Sequence, residues 1–165
     1  MSSTLPVSGI SRRMLLAGFA ASSLIATTRT PLAAETLPKM VVTKDPNCGC
    51  CTGWVKHVRA AGFDVDVVES SEINQLKTRL GVPQDLASCH SAEIGGYVIE
   101  GHVPPVVIKR LLAERPNARG LAVPGMPVGS PGMEVEGMDP DTYEVVLFGP
   151  SGQRTYARFR GGREA

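Results

Sequence analysis

From residue 39 onward the chain alternates short apolar runs with helical stripes. Lys39 to Thr43 reads as a buried strand with Met40 filling the core, and Asp45-Pro46-Asn47 reads as the turn that ends it. Trp54, Val55, Val58 and Ala61 recur at helical spacing while Lys56 and Arg59 fall opposite. This predicts a helix that begins at or just after Cys51 and stops at Gly62. Phe63, Val65 and Val67 then alternate with Asp64 and Asp66, the period of a half-buried strand. Ile73, Leu76 and Leu80 form a helical stripe closed by Gly81 and Pro83. Tyr97 to Glu100 is a short strand. Pro104 to Arg115 is a helix burying Val107, Ile108, Leu111 and Leu112, with Pro116 as its stop. Tyr143 to Phe148 and Thr155 to Arg160 flank Gly149-Pro150-Ser151-Gly152, the pattern of a β-hairpin.

Strand, helix, strand, helical region and hairpin in that order define an α/β chain that resembles the thioredoxin fold. The expectation is a mixed sheet with flanking helices, an inserted helical region at 104–115 and a C-terminal hairpin at 143–160. In this alignment no helix follows the hairpin. The resemblance also implies that Leu121-Ala122-Val123-Pro124 forms a loop facing the cysteines, against Cys48 and Cys51. Its Val123–Pro124 bond, or the Met126–Pro127 bond, would then be cis.

Where strand gives way to helix, the chain reads Cys48-Gly49-Cys50-Cys51, three of its four cysteines. Vicinal Cys50 and Cys51 bridge poorly, and Cys89 alone cannot pair with all three. Purely structural disulfides would therefore need a strained or intermolecular link. Two chemistries remain open. Cys48 and Cys51 have C-x-x-C spacing, which suits a thiol-disulfide oxidoreductase, and the helix N-terminus favours thiolates at Cys50 and Cys51. The same thiolates suit a soft metal, and the extra thiol at Cys50 favours that reading, because exchange chemistry does not require it.

Residues 1 to 34 carry no acid. They contain Ser11-Arg12-Arg13-Met14-Leu15-Leu16 and an apolar run to Ile25, the pattern of a twin-arginine-like signal peptide that directs the chain to the periplasm or otherwise out of the cytoplasm. The run is too short to span a bilayer about 30 Å thick, so no stable membrane insertion is expected after processing. Removing this segment takes Arg12, Arg13 and Arg29 from 17 basic residues and leaves all 16 acids, which moves the formal charge from +1 to −2. With no basic cluster, nucleic acid is excluded as a partner. Residues 35–165 suit one compact, thioredoxin-like metal-binding domain.

Methionine and histidine change the picture further. Residues 124 to 140 combine prolines, glycines, Met126, Met133 and Met138. Thioethers in a segment unable to form helix or strand have no evident core to fill, so Met126 and Met133 are read as ligands, with Met138 the weakest candidate. His57, among basic neighbours, is read as a surface residue. His102, between Gly101 and Val103-Pro104, and His90, next to Cys89, are read as ligands. Four thiolates on one Cu(I) would leave a charge of −3 in a partly dry site, whereas several Cu(I) ions sharing bridging sulfurs approach neutrality. Zinc suits cysteine and histidine but not thioethers, so copper as Cu(I) is favoured over it.

The segments Lys44 to Cys51, Ser88-Cys89-His90, Gly96 to Pro104 and Gly120 to Glu134 resemble the DUF411 family, which includes CopG-type periplasmic copper-resistance proteins, and the resemblance runs from Val41 to Phe148. It implies a thioredoxin-like, copper-binding protein of the cell envelope whose C-x-C-C thiols help hold a multinuclear Cu(I) cluster. The expected partners are copper ions and other periplasmic copper-handling proteins. The expected ligand set is Cys48, Cys50, Cys51, Cys89, His90, His102, Met126 and Met133.

Overall fold

In the computed structural model, residues 36–165 are described; the leader expected over 1–34 lies outside them. The chain runs β1 (Met40–Lys44), α1 (Gly49–Ala60), β2 (Val65–Glu69), α2 (Ile73–Leu80), a 3-10 turn (Gln84–Leu86), β3 (His90–Ile94), β4 (Tyr97–Glu100), α3 (Pro105–Glu114), β5 (Gly120–Ala122), β6 (Thr142–Gly149), β7 (Gly152–Arg160) and β8 (Arg163–Glu164). These strands form one mixed sheet in the order β2-β1-β3-β4-β5-β6-β7-β8. The fold is α/β, with the thioredoxin-like order of elements.

Pairing explains the connections. β1 and β2 are parallel neighbours, as are β4 and β5, and each pair is bridged by a crossover helix, α1 and α3 respectively. β1, β3 and β4 are joined antiparallel, with β3–β4 as a tight hairpin. Successive residues of β4 and β5 therefore face opposite layers. Ile99 and Leu121 pack with Trp54, Val58, Val107, Ile108 and Leu111 beneath α1 and α3. Val98 and Ala122 pack with Leu80, Leu86 and Phe148 near α2. Each fully enclosed aliphatic side chain contributes about 1.5–3 kcal/mol, so this two-faced burial fixes the register that carries the site. The buried face of α1 is Cys51, Trp54, Val55 and Val58, one of the cysteines included.

The structure departs from the sequence expectations in four places. α1 begins at Gly49 rather than at Cys51, because Cys48 is its N-cap and its Sγ accepts from the Cys51 N–H at 3.3 Å. The hairpin expected over 143–160 forms as β6–β7, but the sequence did not signal a second one, β3–β4, which comes earlier, right after the helical region. Helix 104–115 thus follows the hairpin directly and carries the chain to β5, and β5–β8 extend the sheet beyond it. Every peptide bond among the described residues is trans, including Val123–Pro124 and Met126–Pro127. The loop that opens at Val123–Pro124 does reach the cysteines, through Met126, but with both X–Pro bonds in the ordinary trans form, which is favoured by about 0.5–1 kcal/mol. In β2 only Val65 is buried. Val67 and Val68 are exposed because β2 is the outermost strand.

Candidate metal centre

Four sulfurs converge where α1 starts. The Sγ atoms of Cys48, Cys50, Cys51 and Cys89 all lie within 4.8 Å of one another. β1 and the Asp45-Pro46-Asn47 turn deliver the first three. Buried Lys44 holds that turn by donating to the carbonyls of Asp45 at 3.0 Å and Pro46 at 3.3 Å. Cys48 and Cys51 are joined as a disulfide, with Cys50 and Cys89 left as thiols. Cys50 Sγ stands 3.5 Å from Cys48 Sγ, 3.9 Å from Cys89 Sγ and 4.0 Å from the Met126 thioether.

Cys89 also belongs to a second group, in which one ligand atom each from Cys89, His90 and His102 lie within 4.8 Å. His102 Nε2 is 3.1 Å and His90 Nδ1 3.3 Å from its sulfur. Both rings have no solvent exposure. His102 Nδ1 donates to the Pro131 carbonyl at 2.8 Å, which leaves Nε2 as the lone pair facing Cys89. His90 packs at 4.4 Å, centroid to centroid, on Trp54, whose indole N–H donates to the Val103 carbonyl. His90 Nε2 has no hydrogen-bond partner, an orphaned buried atom of the kind that marks a functional site.

Burial sets the protonation. It pushes the Cys89 thiol up to about 12, with the adjacent Cys50 adding to the rise. Burial, aided by the charges of His102 and Lys77, holds His90 well below the usual imidazole range, and burial lowers His102 as well. The imidazoles are therefore neutral, the form in which they ligate metals, and a metal must displace the Cys89 proton.

The loop after β5 covers this cluster. Gly132 has φ +87°, and a Cβ there would lie 2.4 Å from Trp54 N and 2.7 Å from the Cys50 carbonyl, so only glycine lets the loop seat on the first turn of α1. Ser88 Oγ donates to the Gly125 carbonyl and ties the loop on the Cys89 side. Glu134 joins it to His57 at 2.8 Å on the surface of α1, consistent with the surface reading of His57.

Seven of the eight expected residues meet here: Cys48, Cys50, Cys51, Cys89, His90, His102 and Met126. Met133 is half-buried in the same loop, and among the described residues no thiol donates to its sulfur. Met138 is exposed and lines a shallow hollow with Val135 and Pro140. Sequence reasoning passed over Lys77, Ser91 and Glu100, a buried polar group directly behind the site. One signal was available: Lys77 sits on the apolar stripe of α2, between Ile73 and Leu80.

No helix among the described residues is long and apolar enough to cross a membrane. The model of the family described as "Protein of unknown function, DUF411" matches residues 86–133. Among solved structures, copper resistance protein CopG matches in two forms. Both are 44% identical to this chain with a TM-score of 0.70. Form 1 aligns over 76% of this chain and 99% of its own, and Form 2 over 74% and 98%. None of the curated proteins matches. With that identity sustained over nearly the whole of a solved relative, the chain belongs to the DUF411 family, as a CopG-type copper-resistance protein.

Proposed function

We propose that the protein is exported by a twin-arginine-type signal over residues 1–34 and binds Cu(I) for copper resistance, as a thiolate-bridged multinuclear cluster. The observation that carries this reading is the convergence of four cysteine sulfurs, two buried imidazoles and the Met126 thioether, a donor set soft enough for Cu(I). Cys48, Cys50, Cys51 and Cys89 are the bridging ligands, His90 and His102 the terminal ones, and Met126, then Met133, close the outer side. An external dithiol reductant must first give two electrons and two protons to open the Cys48–Cys51 disulfide, itself becoming a disulfide, to supply the full set of thiols. The same couple balances copper redox conversion: two thiols forming one disulfide release two electrons and two protons as two Cu(II) become two Cu(I).

The test is metal analysis of the reduced protein titrated with Cu(I), with oxidation state assigned by X-ray absorption. More than one copper per chain is expected, and Cys50→Ser should lower that number. Unchanged stoichiometry in the variant would remove the cluster. The disulfide at the start of α1 favours a second reading, a thiol-disulfide oxidoreductase using Cys48 and Cys51. In that case Cys50→Ser keeps disulfide turnover while Cys51→Ser abolishes it.

A further inference from the structure

Behind the centre lies a buried ion pair whose side chains, among the described residues, make no hydrogen bond to the proposed ligands. Glu100, at the end of β4, has no solvent exposure, and Lys77, on α2, is 5% exposed. Lys77 Nζ donates to Glu100 Oε1 at 2.5 Å and to Ser91 Oγ at 3.1 Å. The Ser88 backbone N–H donates to the same Oε1 at 2.6 Å, and Ser91 Oγ donates to Oε2 at 2.5 Å. The carboxylate therefore accepts from three donors on two other segments, with a partner on each oxygen.

What these donors flank is the centre itself. Ser88 precedes Cys89, Ser91 follows His90, and Glu100 stands two residues before His102. The backbone adds two stitches at the same place. Gly101 N–H donates to the His90 carbonyl at 3.0 Å, and Val123 N–H donates to the Glu100 carbonyl at 3.0 Å. Gly101 has φ +70°, and a Cβ on it would lie 2.6 Å from Ser88 Oγ and from the Val123 carbonyl. Three strand ends are thus drawn together around Glu100, the start of β3 through its carboxylate and the exit of β5 through its backbone carbonyl.

Fold stability does not explain this arrangement. Two charges buried together lose hydration that their attraction barely returns, and apolar residues of similar volume commonly serve as well or better. Charge-assisted hydrogen bonds do give short, directional contacts, which matter where a sulfur and two ring nitrogens must converge on a metal.

We propose that Glu100, held by Lys77, is the positioning residue that aims Cys89, His90 and His102 at copper. The proposal rests on the copper reading above, and its test has one arm that needs no metal. The key variant is Lys77→Met/Glu100→Leu, which removes both charges together, so that no unpaired charge is left, and takes the acceptor from the Ser88 N–H and the Ser91 hydroxyl. Glu100→Gln keeps the shape and can still accept from Ser88. In the Cys50→Ser background with the Cys48–Cys51 disulfide closed, Cys89 is the remaining thiol, and its alkylation by iodoacetamide reports how firmly the Ser88–Cys89 peptide is held.

Alkylation should accelerate about tenfold or more in the double variant, with an intermediate rate for Glu100→Gln and a native circular-dichroism spectrum throughout. With Cys50 present and the protein reduced, Cu(I) affinity against a chromogenic chelator should fall about 10- to 100-fold, as for other outer partners of metal ligands. X-ray absorption should report fewer nitrogen neighbours per copper. A folded double variant with the parent's alkylation rate, affinity and nitrogen count would overturn the proposal. Should that variant not fold, Glu100→Gln decides by the same readouts. A parent that takes up no copper would sink the copper reading alone, and the alkylation arm would still judge Glu100.

Discussion

The two halves of the centre share one sulfur and little else. On the outer side, Cys48, Cys50, Cys51 and Met126 sit on a helix start and a loop, with Met126 53% exposed and two of the three cysteines joined by a reversible bond. On the inner side, Cys89, His90 and His102 are set on strand ends, and neither ring touches solvent. The outer half can change its number of free thiols through redox chemistry. The inner half cannot, since its geometry is fixed by the Pro131 carbonyl, Trp54 and the hydrogen bonds around Glu100. The contrast teaches that adjustable and rigid donors have been divided between two layers, with Cys89 as the junction.

The sharpest way to break that division is to remove the junction. Cys89→Ser takes a ligand from both halves, so Cu(I) affinity should fall by about 100-fold or more, roughly 3 kcal/mol, in a chelator competition. A smaller loss would mean that the halves act independently.

Next in size is His102→Ala. From sequence, the loss of this ring should spare folding and cost only copper affinity. The structure corrects that expectation, because the ring is fully buried and donates to Pro131. Leaving that carbonyl unpaired beside a cavity should cost about 1–3 kcal/mol of stability in urea unfolding, together with weaker copper binding.

Acid should separate the halves without mutation. His90 and His102 are held neutral by burial, so their folded pKa values lie below the unfolded value of about 6.5. Above that pH neither state binds these protons and stability is unaffected. Below it the unfolded chain takes up protons that the folded chain refuses, and stability is lost as pH falls. The slope is bounded by about 1.4 kcal/mol per pH unit for each histidine, with His90, held further down, contributing the larger share. Urea midpoints of the metal-free protein between pH 7.5 and 5.5 measure it, and His102→Gln should flatten the curve. A flat parental curve would mean that the inner rings are wet.

The smallest effect concerns the outer rim. Met126→Leu should weaken Cu(I) binding less than tenfold and cost less than about 1.5 kcal/mol of stability, while Met133→Leu should change binding less, since among the described residues no thiol donates to its sulfur. Equal effects of the two would put both thioethers on the metal.

How much of this was legible in the sequence depends on whether a residue's role follows local periodicity. Trp54, Val55 and Val58 announced the buried face of α1, and the three clustered cysteines announced the outer half. β3 was silent, because His90 and Ser91 are polar residues at buried positions and hide the strand's alternation. That silence hid the β3–β4 hairpin, so the β6–β7 hairpin, correctly expected over 143–160, stood in for it in the thioredoxin alignment, and the expected cis proline went with it. β5, three residues long, was too short to signal. His90 and His102 were recognised from their glycine, proline and cysteine neighbours. Their common sulfur and their supporting pair, Lys77 and Glu100, depend on contacts across three strands and a helix, which no local pattern encodes. Met126 and Met133 looked equivalent along the chain, and only the fold of the loop separates them.

The bond from His102 to Pro131 also bears on the order in which a growing chain can become a copper protein. The thiols at 48–51 and 89 are synthesised well before the segment that orients the inner ring and seats Gly132 on α1. A ribosome-bound chain ending near residue 120 would expose soft sulfur ligands with an unfinished enclosure around them, open to whichever metal is abundant. Faithful loading therefore belongs to the completed chain, and a truncation before Pro131 should scavenge metal without selecting it.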